Sequence, residues 1–118
     1  METGRPASIS GERLSFMSNA IYYVSYKLKK GASIPDFLLA AKALNDKSIS
    51  QQKGYISWKQ LVDGNTWADL ITFETMDDLD NFKEASKNPS ELAQHFYSFI
   101  NFSAKGNKHH IYSVEKSY

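Results

Sequence analysis

The sequence predicts an α+β domain whose elements follow in the order β-α-β-β-α-β. Four runs rich in β-branched and aromatic residues alternate apolar and polar positions with a period of two, as strands do. The segments between them have apolar residues at helical spacing, with capping residues at their starts. At 118 residues, of which 42% are hydrophobic, the chain supports one domain with one modest core.

The first strand is predicted over residues 21–28, and the first helix runs from Ser33 to about Gln52. Ser33 is a typical N-cap, and Pro35 in the first turn has the fixed φ that suits a helix start. Gly54 ends the helix, because glycine readily adopts the left-handed conformation beyond a C-terminus. The more apolar face of the strand comprises Tyr22, Val24, Tyr26 and Leu28.

A hairpin, an interrupted helix and a last strand follow. Asp63-Gly64 is a strong turn signal, so the second and third strands are predicted to be antiparallel. The second helix opens at Asp77, is interrupted by Pro89 and is capped again by Ser90. The predicted bounds are 55–62 and 66–74 for the hairpin strands and 108–114 for the last strand.

This order is the ferredoxin-like, split βαβ arrangement. Right-handed crossovers then place the first and third strands side by side and parallel at the sheet centre, with both helices on one face. The opposite face is too apolar to lie in water as a single sheet, so we expect a second copy to cover it in a homodimer. Its residues are Tyr23, Ser25, Ser57, Leu61 and Leu70, with either His109 or Ile111.

Composition excludes several classes of protein. Fourteen basic and thirteen acidic residues give a net charge of +1, so no nucleic-acid partner is predicted. The absence of cysteine excludes disulfides, thiolate catalysis and cysteine-ligated metals. No apolar run approaches the roughly 20 residues that cross a bilayer, and no signal peptide is recognisable, so we expect no membrane partner and a cytoplasmic location.

Residues 1–19 are expected to form a flexible arm outside the domain, which covers residues 20–118. They are polar and contain glycine and proline without a helical or strand period. Met17 is an alternative start, and the Ser18-Asn19-Ala20 that follows it resembles the remnant of a cleaved tag. The arm is therefore treated as a non-native start or a tail and excluded from the fold prediction.

Asp69 interrupts the apolar face of the third strand. Alternation places it beside Trp67, Ile71 and Phe73, where an ionised carboxylate is costly unless it is paired, hydrogen-bonded or protonated. Burial raises a carboxyl pKa, which suits a general base near neutral pH. The alternative is a structural carboxylate that accepts a hydrogen bond from Trp67, a tyrosine hydroxyl or a backbone amide.

His95 is the second candidate catalytic residue. It lies in the second helix between Leu92 and Phe96, close to the apolar side. A histidine in such a place either transfers protons or is a half-buried structural residue. If His95 lies near Asp69, the two form an acid–base pair in which the carboxylate fixes the imidazole tautomer.

Two further groups complete the candidate site. Adjacent strand residues point to opposite faces, so His109 and His110 cannot chelate one metal ion within a chain, and no metal site is predicted. One of the two is expected to reach the pocket or the dimer interface.

An aromatic set on the strands forms core or ligand surface, and its phenol and indole groups would orient a planar organic ligand. It comprises Tyr22, Tyr26, Trp58 and Trp67.

Three segments resemble the antibiotic-biosynthesis-monooxygenase-like family of dimeric α/β-barrel proteins, over residues 20–116. They are a glycine-closed first strand with its helix, a long-stranded hairpin ending in aromatic–Glu, and a helix with one histidine. They read KKGASIPDFLLAAKAL, QQKGYISWKQLVDGNTWADLITFETMDDLDNF and SELAQHFYSFINFSAKGNKHHIYSV. The resemblance implies a dimer in which two four-stranded sheets face each other as a barrel, with a pocket in each subunit.

The family is chemically diverse. Its activities include cofactor-free oxidation of polyketide quinol precursors, haem degradation, lactone isomerisation and signal-molecule processing. The haem-degrading members resemble this chain at His95. They have an asparagine where this sequence has Val24 and a tryptophan where Phe82 is the nearest match, so haem chemistry is disfavoured. Val24 and Phe82 are expected, by the same resemblance, to line the ligand pocket.

The sequence therefore predicts a small-molecule-binding homodimer without a cofactor. The favoured hypothesis is a cofactor-independent monooxygenase or isomerase, in which Asp69 or His95 removes a proton from a compact aromatic or enolisable substrate. The substrate would supply the electrons, since no flavin, nicotinamide or phosphate-binding motif is present. The alternative is a non-catalytic ligand-binding or stress-associated protein of the same fold, and haem binding or degradation is the third hypothesis.

Overall fold

The computed structural model describes residues 18–118, so most of the predicted arm lies outside the described residues. In that part of the chain, five strands and three α-helices form one α+β domain of the ferredoxin-like type. None of these helices combines the length and the apolar character that crossing a membrane would require. The elements are β1 (Ala20–Leu28), α1 (Ile34–Lys47), β2 (Tyr55–Asp63), β3 (Thr66–Phe73), α2 (Met76–Ala85), α3 (Glu91–Tyr97), β4 (Ile100–Asn101) and β5 (Lys108–Ser113).

The strand order is β2-β3-β1, and both β4 and β5 pair with the remaining edge of β1. The prediction that β1 and β3 are neighbours is confirmed, but the prediction that they run parallel is wrong, because they pair antiparallel. The hairpin explains the difference. The crossover through α1 makes β2 run parallel to β1. The hairpin turn then reverses the chain, so β3 runs antiparallel to both strands and lies between β1 and β2.

Hydroxyl N-caps account for the start of each helix. Ser33, Thr75 and Ser90 each accept a hydrogen bond from the backbone N–H three residues further along the chain. These bonds satisfy donors that have no partner within the helix. The predicted interruption at Pro89 and the new start after Ser90 are confirmed as the boundary between α2 and α3.

Three local details differ from the prediction. Helix α1 ends at Lys47 instead of Gln52, because Ser48 leaves the helical conformation and a short 3₁₀ turn over Ile49–Gln51 follows. Asp63 already pairs with Thr66, so the hairpin turn consists of the two residues after Asp63. The two-residue strand β4 was not predicted, because so short a run has no alternation to detect.

The helices cover one face of the sheet, as predicted. The core contains Phe37 from α1, Leu79 from α2 and Phe96 from α3, packed on Ile71 and Phe73 of β3. The Phe37 ring is fully buried and packs against four other aromatic rings. Those rings belong to Tyr26, Trp67, Phe96 and Phe99.

The opposite face of the sheet is not covered by any described element of the chain. Leu61 and Tyr112 on this face remain 47% and 52% exposed. The prediction that His109 or Ile111 lies here is wrong, because β5 pairs these residues with Val24 and Tyr22, which face the helices. The register of an edge strand is set by its partner, so the last strand alone does not determine its face.

The close approach of Asp78 to Gly54 is a constraint on the fold that can be tested by comparing Gly54 with Gly31. Both have φ of +79°, but a Cβ at Gly54 would overlap the buried Asp78 carboxylate, whereas a Cβ at Gly31 meets nothing within 4 Å. Gly31→Ala should therefore cost only the strain of a left-handed alanine, about 1–2 kcal/mol. Gly54→Ala should cost about 1–3 kcal/mol more, because Asp78 has to move. Urea unfolding of both variants measures the difference, and equal losses would contradict the proposed steric cause.

Candidate functional site

A cavity of about 450 Å³ lies between the helix-facing side of the sheet and the helices. Every α-helix and all five strands contribute residues to it. The walls are mainly aromatic and aliphatic, with a few polar groups, which is the usual composition of a site for a small organic molecule. The lining includes Tyr22, Val24, Tyr26, Trp58, Asp69, Phe82, Phe96, Tyr97 and His109.

Asp69 lies in the wall of this cavity and is 6% exposed. Its backbone pairs with Val24 on one side and Gln60 on the other, so the carboxylate stands at the centre of the sheet. The Tyr26 hydroxyl donates a hydrogen bond of 2.8 Å to Asp69 Oδ1. The predicted tyrosine partner of the buried carboxylate is therefore present.

Burial raises the pKa of Asp69 from 3.8 to about 6, because the apolar surroundings disfavour the charged form. The Tyr26 hydroxyl opposes this rise, as do the nearby Trp58 indole and the Gln60 amide. Trp58 Nε1 and Gln60 Nε2 are nevertheless buried without a hydrogen bond of ordinary geometry. Their stabilisation of the charged carboxylate is thus weaker than that of Tyr26. A pKa of about 6 gives Asp69 a substantial ionised fraction at pH 7, in a side chain that lines the cavity.

Three tyrosines surround the carboxylate. Burial, followed by the charge of Asp69, raises the pKa of Tyr22 and of Tyr26 above the usual value for a phenol. Burial also raises the pKa of Tyr97, with smaller contributions from Tyr22 and Asp69. All three hydroxyls therefore stay protonated near neutral pH. Tyr26 already donates its proton to Asp69, so Tyr22 and Tyr97 are the two that can donate a hydrogen bond to a ligand oxygen.

The predicted ligand-binding residues Tyr22, Val24, Tyr26, Trp58 and Phe82 all line the cavity, together with Asp69. Trp67 does not line it. The Trp67 indole is buried in the core, where its ring packs edge-on against Phe37 with 5.2 Å between the ring centroids. Alternation correctly places Trp67 on the helix-facing side, but α1 covers that end of β3 and fills the space above it.

His95 is not brought to Asp69. Its side chain is exposed on α3, its ring packs against Phe99, and it does not line the cavity. Tyr97 lines the cavity instead, two residues further along the helix and therefore on a different side of it. The sequence contained a signal for Tyr97, since Ala93, Phe96 and Tyr97 have the i, i+3, i+4 spacing of a buried helix face.

The adjacent histidines of β5 lie on opposite faces of the sheet. His109 pairs with Val24 and lines the cavity, whereas His110 pairs with Tyr23 on the open face. Across residues 18–118, no three histidine or acidic side chains are grouped in a way that could hold a metal ion.

The fold is similar to that of several solved oxygenases. The cofactor-independent oxygenase SnoaB from Streptomyces nogalater superposes with a TM-score of 0.64 at 10% identity, over 85% of this chain and 96% of that chain. A monooxygenase from the Streptomyces coelicolor gene ActVA-Orf6, solved with nanaomycin D, gives 0.64 at 12% identity, over 86% and 92%. A Nitrosomonas europaea protein described as a candidate antibiotic biosynthesis monooxygenase gives 0.60 at 15% identity, over 83% and 91%.

The chain thus has the antibiotic-biosynthesis-monooxygenase-like fold that the sequence resemblance implied. No protein-family model and no curated protein matches its sequence. At identities this low, similarity of structure establishes the fold, and the activity has to be argued from the residues of this chain.

The raised pKa of Asp69 predicts how the stability depends on pH. The folded state binds the Asp69 proton more tightly than the unfolded chain, so the wild type loses stability as the pH rises from 3.8 to about 6. Asp69→Asn should remove this loss and be more stable than the wild type at pH 8, by up to about 3 kcal/mol. The two proteins should differ much less at pH 4.

Urea unfolding of the wild type and Asp69→Asn from pH 4 to pH 8 measures this difference in the free energy of unfolding. Asp63→Asn, at an exposed position, controls for the loss of one formal charge. A difference between wild type and Asp69→Asn that does not change with pH would contradict a raised pKa for Asp69.

Proposed function

We propose that the protein is a cofactor-independent monooxygenase that acts on a compact aromatic or enolisable organic substrate. The observation that carries the proposal is Asp69, a carboxylate with a pKa of about 6 in the wall of an aromatic cavity. Such a group combines a substantial ionised fraction at neutral pH with the basicity needed to accept a proton from an activated carbon.

In the proposed reaction, Asp69 removes a proton from a substrate carbon conjugated to an oxygen-bearing ring. The C–H electron pair becomes delocalised in the substrate, which then transfers electrons to molecular oxygen and forms a hydroperoxide. Loss of water from the hydroperoxide leaves a carbonyl group where a methylene stood. One oxygen atom enters the product, the other leaves as water, and the substrate supplies the electrons.

The other cavity residues support this role by binding the substrate. Trp58, Phe82 and Phe96 offer apolar ring surfaces to a planar molecule. The protonated hydroxyls of Tyr22 and Tyr97 are donors that can orient a polar oxygen of the substrate. The same lining would suit an isomerase, in which the proton returns to a different carbon.

The second candidate function is ligand binding without catalysis. The Tyr26 hydrogen bond favours it, because a buried carboxylate held by a tyrosine is also a stable structural pair. Haem binding through His95 gains no support, since that side chain is exposed and lies outside the cavity.

Oxygen uptake with anthrone tests the proposed activity. The methylene of anthrone is acidified by two aryl rings and a conjugated carbonyl, so its oxidation to anthraquinone follows the proposed route. The wild type should accelerate uptake without added cofactor, and Asp69→Asn should lose at least about a hundredfold of that acceleration. His95→Ala should retain it, because His95 lies outside the cavity.

The outcomes separate the two functions. Equal rates for wild type and Asp69→Asn would refute a base role for Asp69. Binding of anthrone to the wild type without any acceleration would favour the non-catalytic alternative.

We further propose a homodimer formed through the open face of the sheet. Tyr23 lies at its centre, paired with Leu70 on one side and His110 on the other, and the exposed Leu61 and Tyr112 extend the apolar surface. An apolar sheet face of this kind is rarely left in water. A second copy would cover it with an identical surface.

Light scattering tests the dimer. The wild type should elute at twice the chain mass of 13.4 kDa, and Tyr23→Lys should elute as a monomer, because it would bury two charges at the interface. Leu39→Lys is the matched control, since Leu39 is 65% exposed on the outer side of α1. A dimeric Tyr23→Lys protein, or a monomeric wild type, would exclude this interface.

A further inference from the structure

His109 is placed on the floor of the cavity by the pairing of three strands. Asp69 of β3 pairs with Val24 of β1, and Val24 pairs on its other side with His109 of β5. Residues that are directly opposite each other in a sheet point to the same face. The carboxylate, the valine and the imidazole therefore form one row beneath the cavity, and all three line it.

The spacing of this row suits a substrate lying across it. Neighbouring strands are about 4.8 Å apart, so the Cα atoms of Asp69 and His109 are separated by about 10 Å. Val24 between them has a short side chain that leaves space above it. A planar ring resting on Val24 would have the carboxylate at one edge and the imidazole at the other.

The imidazole of His109 is free to bind a ligand. Among the hydrogen bonds of residues 18–118, none involves its ring nitrogens, and the residue is exposed to water. Other polar groups near this edge are less suited to the role. The Asn107 amide already donates to the Asn101 carbonyl oxygen at 2.9 Å. Lys108 also lines the cavity, but it alternates with His109 along β5 and so lies outside the row formed by Asp69, Val24 and His109.

We propose that His109 is a second catalytic residue, which hydrogen-bonds the substrate oxygen that becomes negative when Asp69 removes the proton. The C–H bond breaks, its proton passes to the Asp69 carboxylate, and its electron pair moves through the conjugated ring to the oxygen beside His109. The preferred substrate is a conjugated carbon acid whose oxygen lies across the ring from the acidic C–H. This inference depends on the proposed role of Asp69 as the base.

The ring opening of 5-nitrobenzisoxazole tests both residues without knowledge of the natural substrate. A base removes the ring C–H proton, the N–O bond breaks, and the electron pair leaves on the oxygen of 2-cyano-4-nitrophenolate, whose absorbance is followed. Asp69→Asn should abolish the acceleration by the wild type. His109→Leu should reduce it by about ten- to a hundredfold, less than the loss of a buried donor to a developing oxyanion, because water reaches the exposed imidazole.

Two variants make the result specific to the imidazole. His110→Leu is the matched control next to His109 on the opposite face, and it should leave the rate unchanged. His109→Gln keeps a hydrogen-bond donor and should recover part of the rate. An active wild type whose rate is unchanged in His109→Leu would overturn this inference and leave the role of Asp69 intact, whereas an unchanged rate in Asp69→Asn would refute the base itself.

Binding of the product separates the role of His109 from turnover. 2-Cyano-4-nitrophenolate carries its negative charge on the oxygen assigned to His109. Calorimetric titration should give a dissociation constant about five- to tenfold weaker for His109→Leu than for the wild type. This is the effect of an ordinary hydrogen bond, smaller than that of a buried bond to a charged group, because water competes for the phenolate oxygen. Asp69→Asn should bind it at least as tightly as the wild type. Equal affinities of the wild type and His109→Leu would overturn the inference even if neither protein accelerates the ring opening.

Discussion

The buried Asp69 carboxylate is the constraint around which the rest of the domain is arranged. Burying its charge on an apolar sheet face would cost much free energy without a hydrogen-bond donor. The Tyr26 hydroxyl supplies that hydrogen bond across the β1–β3 pair. The same burial that makes the charge costly raises the pKa of the carboxyl to about 6. A group that destabilises the fold at neutral pH is thus also the group best suited to accept a proton, which is a common relation between stability and activity.

The antiparallel insertion of β3 beside β1 gives this carboxylate its position. A central strand is covered on both edges, so Asp69 has neighbours from β1 and β2 and no direct route to water along the sheet. The helices then close the face above it unevenly. α1 fills the space over Trp67 with Phe37, whereas Tyr22, Val24 and Asp69 are left beneath the cavity.

The structural similarity to solved oxygenases establishes the fold of this chain but not its chemistry. Superposition over most of both chains at 10–15% identity shows that the backbone arrangement is shared. Side chains diverge at this distance, so the chemistry depends on the groups that this chain places in its own cavity. Those groups include one carboxylate, three protonated tyrosines and one imidazole at the edge.

The sequence by itself determined the element order, the helix caps, the face occupied by Asp69 and six of the residues that line the cavity. These features follow from local periodicity and from backbone chemistry within a few residues. It did not decide the direction of β3 relative to β1, the face of His109 or the absence of His95 from the cavity. Strand direction depends on the crossover and edge-strand register on a distant partner. A helix can also rotate about its axis and present Tyr97, two residues further along, in place of His95. Only the tertiary packing selects among these arrangements, because each has nearly the same local energy and differs mainly in what it buries.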